Sequence, residues 1–165
     1  MNPPKKTTKR ELAFTAKNIE RIEALKKRYP TNRAVLLPAL HIAQEQFEFI
    51  DEAAMMCVAS AVGIPPIWVY EATTFYTMYH QSKPGKTCIN VCTSIACYLR
   101  GSDEMLEYLS KKLNIEIGDT TADGRFTLKA VECLANCDHG PMAQVNDDYK
   151  GLLTQESIDA LIDSN

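Results

Sequence analysis

Apolar residues in the first half of the chain recur at helical intervals. Between Lys17 and Tyr29, Ile19, Ile22, Ala24-Leu25 and Tyr29 are spaced with charges between them, and Pro30 ends the segment. Thr31 or Asn32 is placed to cap a second helix from Arg33 to about Gln46, with Pro38 in its first turns, where proline is least costly. Asp51 is placed to cap a third helix, Glu52 to Val62, and Pro65-Pro66 to open a fourth through Ala72 or beyond. The stretch from Ala53 to Tyr70 carries no charge and is close to the length of a bilayer span. Gly63 and the two prolines break it, so it reads as two buried helices and not as a transmembrane segment.

After the turn-rich Ser82-Lys83-Pro84-Gly85 the periodicity becomes mixed. Thr87 to Val91 predicts a short strand. Ser94 to Leu99 and Ser102 to Lys112 predict helices, the second with Met105, Leu106, Leu109 and Leu113 on one side. A polar loop from Gly118 to Gly124 leads to an alternating strand, Arg125 to Glu132. Met142 to Val145 and Tyr149 to Leu153 predict two more strands about a turn at Asn146-Asp147-Asp148, and Thr154 is placed to cap a final helix through Ile162. The expected fold class is α/β, with a helical bundle first and a small sheet of thioredoxin-like type after it. The expected organisation is a disordered basic arm over 1–16, the bundle over 17–82 and the sheet domain over 83–165.

Composition narrows the function. With 165 residues, 45% apolar and 24% charged, the chain can bury a real core without staples. A net charge of −3, from 18 basic and 21 acidic residues, argues against a nucleic-acid surface, which wants a clear basic excess. The first ten residues, MNPPKKTTKR, lack the apolar stretch of a signal peptide. Six cysteines without an export signal imply a reducing compartment, where clustered cysteines are more often metal ligands or redox groups than disulfides.

Four of the six form the strongest chemical signal. Cys92-x4-Cys97 follows one predicted strand directly, and Cys133-x3-Cys137 follows another. Each pair therefore falls on a loop at a strand's C-terminal end, where parallel strands bring loops together. Two irons bridged by two sulfides need four thiolates, two per iron. An oxidised core of charge +2 with four thiolates is −2, and one electron makes it −3. Adding charge to an anion in a low dielectric predicts a low potential unless N–H donors offset it; all-cysteine plant-type clusters lie near roughly −400 mV. Gly101 and Gly140, near the cysteine loops, are placed to allow close backbone approach.

Other readings of the same residues remain open at this level. A structural four-cysteine zinc site commonly has tighter pair spacing. Two disulfides would need an oxidising compartment, and a dithiol enzyme a C-x-x-C pair that the chain lacks. A Rieske centre needs two histidines, and only His139 lies by a cysteine, with His41 and His80 in the helical half. Cys57, in an apolar helix, and Cys88, sharing a strand face with Cys92, read as structural. Lys26-Lys27-Arg28 reads as a solvated helix end. Glu104 and Glu107 have no partner base and are given no acid–base role. Phe75, Tyr76, Met78 and Tyr79 read either as packing between the two halves or as a docking surface for a partner. There is no G-x-G-x-x-G and no P-loop, so nucleotide chemistry has to come from another chain.

The stretches VCTSIACYLRGSDEML, GDTTADGRFTLKAVECLANC and GPMAQVNDDY, with LLPALHIAQEQFEFI and VYEATTFYTMY in the helical half, resemble the E subunit family of NADH:quinone oxidoreductase, respiratory complex I, from about Ile19 to Ile162. Relatives of that family occur in NAD-linked hydrogenases and formate dehydrogenases. The resemblance implies a thioredoxin-like [2Fe-2S] domain after a helical bundle, with the cluster ligands at Cys92, Cys97, Cys133 and Cys137. It also implies a larger flavoprotein partner that binds FMN and NADH, beside whose flavin the cluster accepts or stores one electron. This chain would then be a non-catalytic subunit, cytoplasmic and peripheral to the inner membrane through its complex, with the mitochondrial matrix as the other setting. A diaphorase subunit of a hydrogenase or formate dehydrogenase, a stand-alone thioredoxin-like ferredoxin and a zinc-stabilised interaction module are the alternatives.

Three places depart from the family pattern. The usual CLGAC is CLANC here, with Ala135 and Asn136; the usual Ala-Pro after it is approached as Asp138-His139-Gly140-Pro141; and a Gly-Trp is replaced by Glu48-Phe49. If position 135 needs a positive φ, alanine there carries about 1 kcal/mol of strain. Hydrogen bonds from Asn136 and His139 are placed to shift the cluster potential.

Overall fold

The computed structural model describes residues 11–164, and the chain divides into two compact units with the boundary between Lys83 and Pro84. The first ten residues of the basic arm expected over 1–16 lie outside the described residues. Beyond them, Leu12 and Phe14 pack against the helical core, with the Phe14 and Phe47 rings 5.1 Å apart. Gln46 ties this segment down: its Oε1 accepts from Thr15 N and Asn18 Nδ2, and its Nε2 donates to Ala13 O.

Four helices build the first unit: α1 (Ala16–Arg28), α2 (Leu36–Phe47), α3 (Glu52–Val62) and α4 (Pro66–Phe75). Ile22, Val35, Leu40, Ala43, Ile50, Val58, Val62 and Val69 form its buried centre. The helix expected from Arg33 begins instead as a 3-10 turn, Asn32–Val35, and becomes α-helical only at Leu36. Pro38 is the reason. As the third residue of α2 it has no intrahelical N–H bond to lose, whereas in a helix starting at Arg33 it would leave an inner carbonyl unpaired. Thr31 is extended at the start of the turn but makes no side-chain capping bond there.

The other helix ends follow their residues. Asp51, 5% exposed, accepts from Ala54 N at 3.0 Å. Gly63 closes α3 at φ +79, a left-handed position suited to glycine, and Pro66 occupies the first position of α4. Lys26 corrects the solvated-end reading. Its ammonium donates to Ala61 O at 2.7 Å and pairs with Glu23, so it ties α1 to the last carbonyls of α3. Tyr79 belongs to this core: its hydroxyl donates to Leu37 O, and burial raises its pKa to about 12.

The second unit is a four-stranded mixed sheet in the order β2-β1-β3-β4, built from β1 (Thr87–Cys92), β2 (Phe126–Val131), β3 (Ala143–Val145) and β4 (Asp148–Lys150). β1 and β2 are parallel, and the other two pairings are antiparallel. Alternation along β1 sends Ile89 and Val91 into a core with Leu128, Leu106, Leu109 and Ile158, the last three from α6 (Ser102–Leu113) and α7 (Gln155–Asp163). A short helix, α5 (Ile95–Tyr98), precedes α6. Thr154 caps α7 reciprocally with Ser157.

The last strand is shorter than the expected Tyr149 to Leu153. After Lys150 the chain turns away: Leu152 N donates to His139 O at 2.7 Å and Leu153 N to Pro141 O at 2.9 Å. Those bonds replace ladder bonds, and Leu152 takes φ +52 to make them. Ala135, between β2 and β3, is also left-handed at φ +60.

Relief at Ala135 outweighs the added chain entropy of glycine, so Ala135→Gly is expected to stabilise the folded chain by about 0.5–1 kcal/mol. Equilibrium denaturation in urea reads this as a higher midpoint at unchanged slope. Asp51→Ala removes a buried cap and is expected to cost about 1–2 kcal/mol in the same assay.

Candidate metal centre

β1 and β2 run side by side in register from Thr87↔Phe126 to Cys92↔Val131, so their C-terminal ends are level. Cys92 is the last residue of β1, and Cys133 follows β2 by two residues. Hydrogen bonds hold the ends together: Thr93 N and Thr93 Oγ1 both donate to Val131 O, and Ser94 Oγ donates to Glu132 Oε2. Cys97 then returns on α5 and Cys137 on a 3-10 turn, Cys137–His139.

The thiols converge as two pairs. Cys133 Sγ lies 3.7 Å from Cys137 Sγ, and both residues are exposed. Cys92 and Cys97 are each 1% exposed and pack with Met142, which is fully buried, and with Leu134. Burial, then hydrogen bonding and charge repulsion from Cys92, push the Cys97 thiol above its ordinary pKa; Cys137 adds repulsion, and a backbone bond from Met142 opposes it. Cys137 is pushed up first by Cys133, through hydrogen bonding and charge, and further by Cys92 and Asp138. Each pair therefore feels the other. Cys97 and Cys137 are thereby held toward their protonated forms, and ionising them together takes a cation to offset the added charge.

Two pairs of thiols, Cys92 with Cys97 and Cys133 with Cys137, offer the two thiolates per iron that an Fe–S–Fe unit takes. The surroundings fit the sulfur of such a unit as well. Ala135 N donates to Cys133 Sγ at 3.3 Å. A methyl group at Gly140 would sit 3.2 Å from Cys97 Sγ, so glycine is what lets the second loop close over that thiol.

Other expectations resolve one by one. Gly101 adopts φ +89 at the start of α6, a conformational need and not a close approach to sulfur. Asn136 O accepts from His139 N, and His139 Nδ1 pairs with Asp138 at 3.0 Å, lowering the carboxyl pKa. His41 lies against Tyr79 in the helical unit, with the rings tilted and their centroids 5.3 Å apart. Cys57, half-buried in α3, and Cys88, buried in β1, both have thiols raised by burial, and Cys88 Sγ lies 3.8 Å from Gly85 O. Glu104 is exposed, and Glu107 pairs with Lys111. Phe75, Tyr76 and Met78 are exposed while Tyr79 is not. No helix among the described residues is long and apolar enough to cross a membrane.

Two residues at the centre escape sequence reasoning. Met142 reads as an ordinary strand residue, yet its carbonyl accepts from Cys92 N at 3.0 Å. Arg100, with Gly101, belongs to the stretch that carries the family resemblance, yet the sequence gives it no contact; its guanidinium reaches the carbonyl of Asp138 on the other loop.

Residues 22–165 match the model of the thioredoxin-like [2Fe-2S] ferredoxin family. The chain is 42% identical over 145 residues to the second E-type subunit of NADH-quinone oxidoreductase from Rhizobium meliloti, covering 88% of this chain and 86% of that protein. It is 40% identical over 153 residues to the E-type subunit of the same enzyme from Rickettsia conorii, covering 91% and 92%. It is also 40% identical to NADH dehydrogenase [ubiquinone] flavoprotein 2, mitochondrial, of Dictyostelium discoideum, over 91% of this chain and 62% of that one. Among solved structures it is similar to an air-oxidised NAD+-reducing [NiFe]-hydrogenase, with a TM-score of 0.66 and 27% identity, over 78% of this chain; it spans 22% of that hydrogenase chain. Four cysteines at the level ends of two parallel strands, in a unit that follows a helical bundle along the chain, and relatives of this identity over nearly the whole length lead to one family: the chain belongs to the thioredoxin-like [2Fe-2S] ferredoxins, with the E-type subunits of NADH:quinone oxidoreductase among its relatives.

Proposed function

We propose that this chain carries one [2Fe-2S] cluster on Cys92, Cys97, Cys133 and Cys137 and serves as an electron-transfer subunit of an NADH:quinone oxidoreductase. The cluster would lie next to the FMN of a flavoprotein subunit that oxidises NADH, at the cytoplasmic or matrix face of the membrane. The observation that carries the reading is the meeting of two thiol pairs above the level ends of β1 and β2. Relatives of the E type at about 40% identity over nine-tenths of the chain support the assignment to that complex.

A cluster of this kind supplies a one-electron acceptor and donor. The protein's part is to hold it. Cys92 and Cys97 bind from a buried floor, and Cys133 and Cys137 from an exposed rim. The exposed pair provides the side from which an electron enters or leaves. The Ala135 N–H offsets negative charge at Cys133, and Gly140 keeps side-chain bulk away from Cys97. Nothing in the reading asks this chain to bind NADH or flavin itself. A diaphorase subunit of an NAD-linked hydrogenase is the second reading, and the structural similarity to the NAD+-reducing hydrogenase chain favours it as runner-up.

The test is anaerobic purification with iron and acid-labile sulfide analysis, and EPR before and after dithionite. Two irons and two sulfides per chain, with a rhombic S = 1/2 signal on reduction alone, are expected. Alanine at any of Cys92, Cys97, Cys133 or Cys137 should lower cluster occupancy about tenfold or more, while Cys57→Ala and Cys88→Ala should keep it. One zinc and no labile sulfide would overturn the cluster assignment. Co-purification with an FMN-containing subunit tests the partner, and the acceptor reduced by the isolated complex separates the quinone and hydrogenase readings.

A further inference from the structure

The loop carrying Cys137 has little regular structure of its own. From Cys133 to Gly140 its single ordered element is the 3-10 turn Cys137–His139, and both of its cysteines are exposed. Its position is therefore set by what grips it from outside. On one side stands Arg100, whose backbone N donates to Cys97 O at 3.0 Å at the end of the first cysteine loop. Its Nη1 crosses 38 residues of sequence to donate to Asp138 O at 3.2 Å, next to Cys137. Its stem runs along Gly140: a methyl there would meet Arg100 Cδ at 3.5 Å and Cys97 Sγ at 3.2 Å. Arginine, thiol and glycine thus close around one point.

On the other side stands the connection from β4 to α7. A methyl at Gly151 would lie 2.7 Å from His139 Cβ and 2.9 Å from His139 O, so the two backbones touch directly. Leu152, held at φ +52 and 55% exposed, donates its N–H to the same carbonyl. An exposed leucine in a left-handed conformation gains nothing by burial; its backbone bond to the cysteine loop is the contact that accounts for it. The segment Asp138–Gly140 is gripped from both flanks.

We propose that Arg100 is a positioning residue that locks the Cys137 loop against the Cys97 loop, with Gly151 as the opposite jaw, and that this clamp governs how tightly the cluster is retained and how easily it is reduced. The inference rests on the four-cysteine cluster proposed above. Arg100 stays outside the ligand set. Its cation, fixed beside an anionic centre that becomes more anionic on reduction, favours the reduced state. Its Nη1 reaches the carbonyl of Asp138 from a rigid planar group, a geometry that a lysine ammonium does not reproduce.

The experiment compares the full-length protein with R100Q, R100K and G151A, all purified anaerobically. It measures iron release to an excess chelator and the midpoint potential by EPR-monitored titration. R100Q is expected to release iron about tenfold faster, the loss of one charge-assisted hydrogen bond, and to shift to a more negative potential. R100K should recover most of the potential but not the slow release, which separates the charge from the clamp. G151A should release iron faster with Arg100 intact, so the clamp remains testable if R100Q does not fold. Release and potential equal to the parent protein in R100Q, or unchanged release in G151A, would overturn the clamp. A parent protein without a [2Fe-2S] centre would instead overturn the cluster reading beneath it.

Discussion

Four cysteines from two loops have to be brought to one end of the sheet, and the parallel pairing of β1 with β2 is what makes that possible. Parallel strands direct their C-terminal ends the same way, and the register from Thr87↔Phe126 to Cys92↔Val131 makes those ends level. A slip of one residue would turn Cys92 to the opposite face of the sheet. The register is held by the core beneath it, where Ile89, Val91 and Leu128 lie against α6 and α7. Like charge on neighbouring thiolates would pull against that core, and a cationic centre among them would offset it.

The centre itself is unequal. Cys92 and Cys97 are sealed by Met142 and Leu134, while Cys133 and Cys137 open to the surface. Burial on one side keeps water from Cys92 and Cys97, and exposure on the other leaves Cys133 and Cys137 open to the surface. A uniformly buried cluster would be hard to reach, and a uniformly exposed one hard to keep. The loop on the open side carries alanine at φ +60, and the segment that follows the second pair is Asp138-His139-Gly140. Here the local strain is offset by ties from elsewhere: Arg100 onto Asp138, and Leu152 onto His139. His139 directs its Nδ1 to Asp138, so the histidine acts on its neighbour.

The helical unit follows a different logic. Its helices begin and end where single residues dictate: Thr15 and Asp51 as caps, Gly63 as a left-handed stop, and Pro66 as a first residue. Lys26 joins this set by reaching the carbonyl of Ala61. The unit contains neither a nucleotide-binding motif nor any of the four clustered cysteines. Its exposed Phe75, Tyr76 and Met78 are of the types enriched in the cores of protein interfaces.

Much of this was legible in the residues alone. Apolar periodicity located the helices and strands, because burial of one face is a local pattern. Cysteine spacing after two strand candidates singled out the four cysteines that the fold gathers past the ends of β1 and β2, because a strand's C-terminal end is a local feature too. The start of α2 was misplaced by a few residues, although Pro38 was present to indicate it; the constraint acts through a hydrogen bond four residues away. The early end of β4 was not legible, since the bonds that end it go to His139 and Pro141. Nor were the contacts of Arg100, Met142 and Gly151, all of which join segments distant in sequence. Local propensity and composition determined which elements and which chemistry this chain has. Only the tertiary structure decided which thiols are sealed, which are open and what holds the open loop, because those depend on distances that no spacing along the chain encodes.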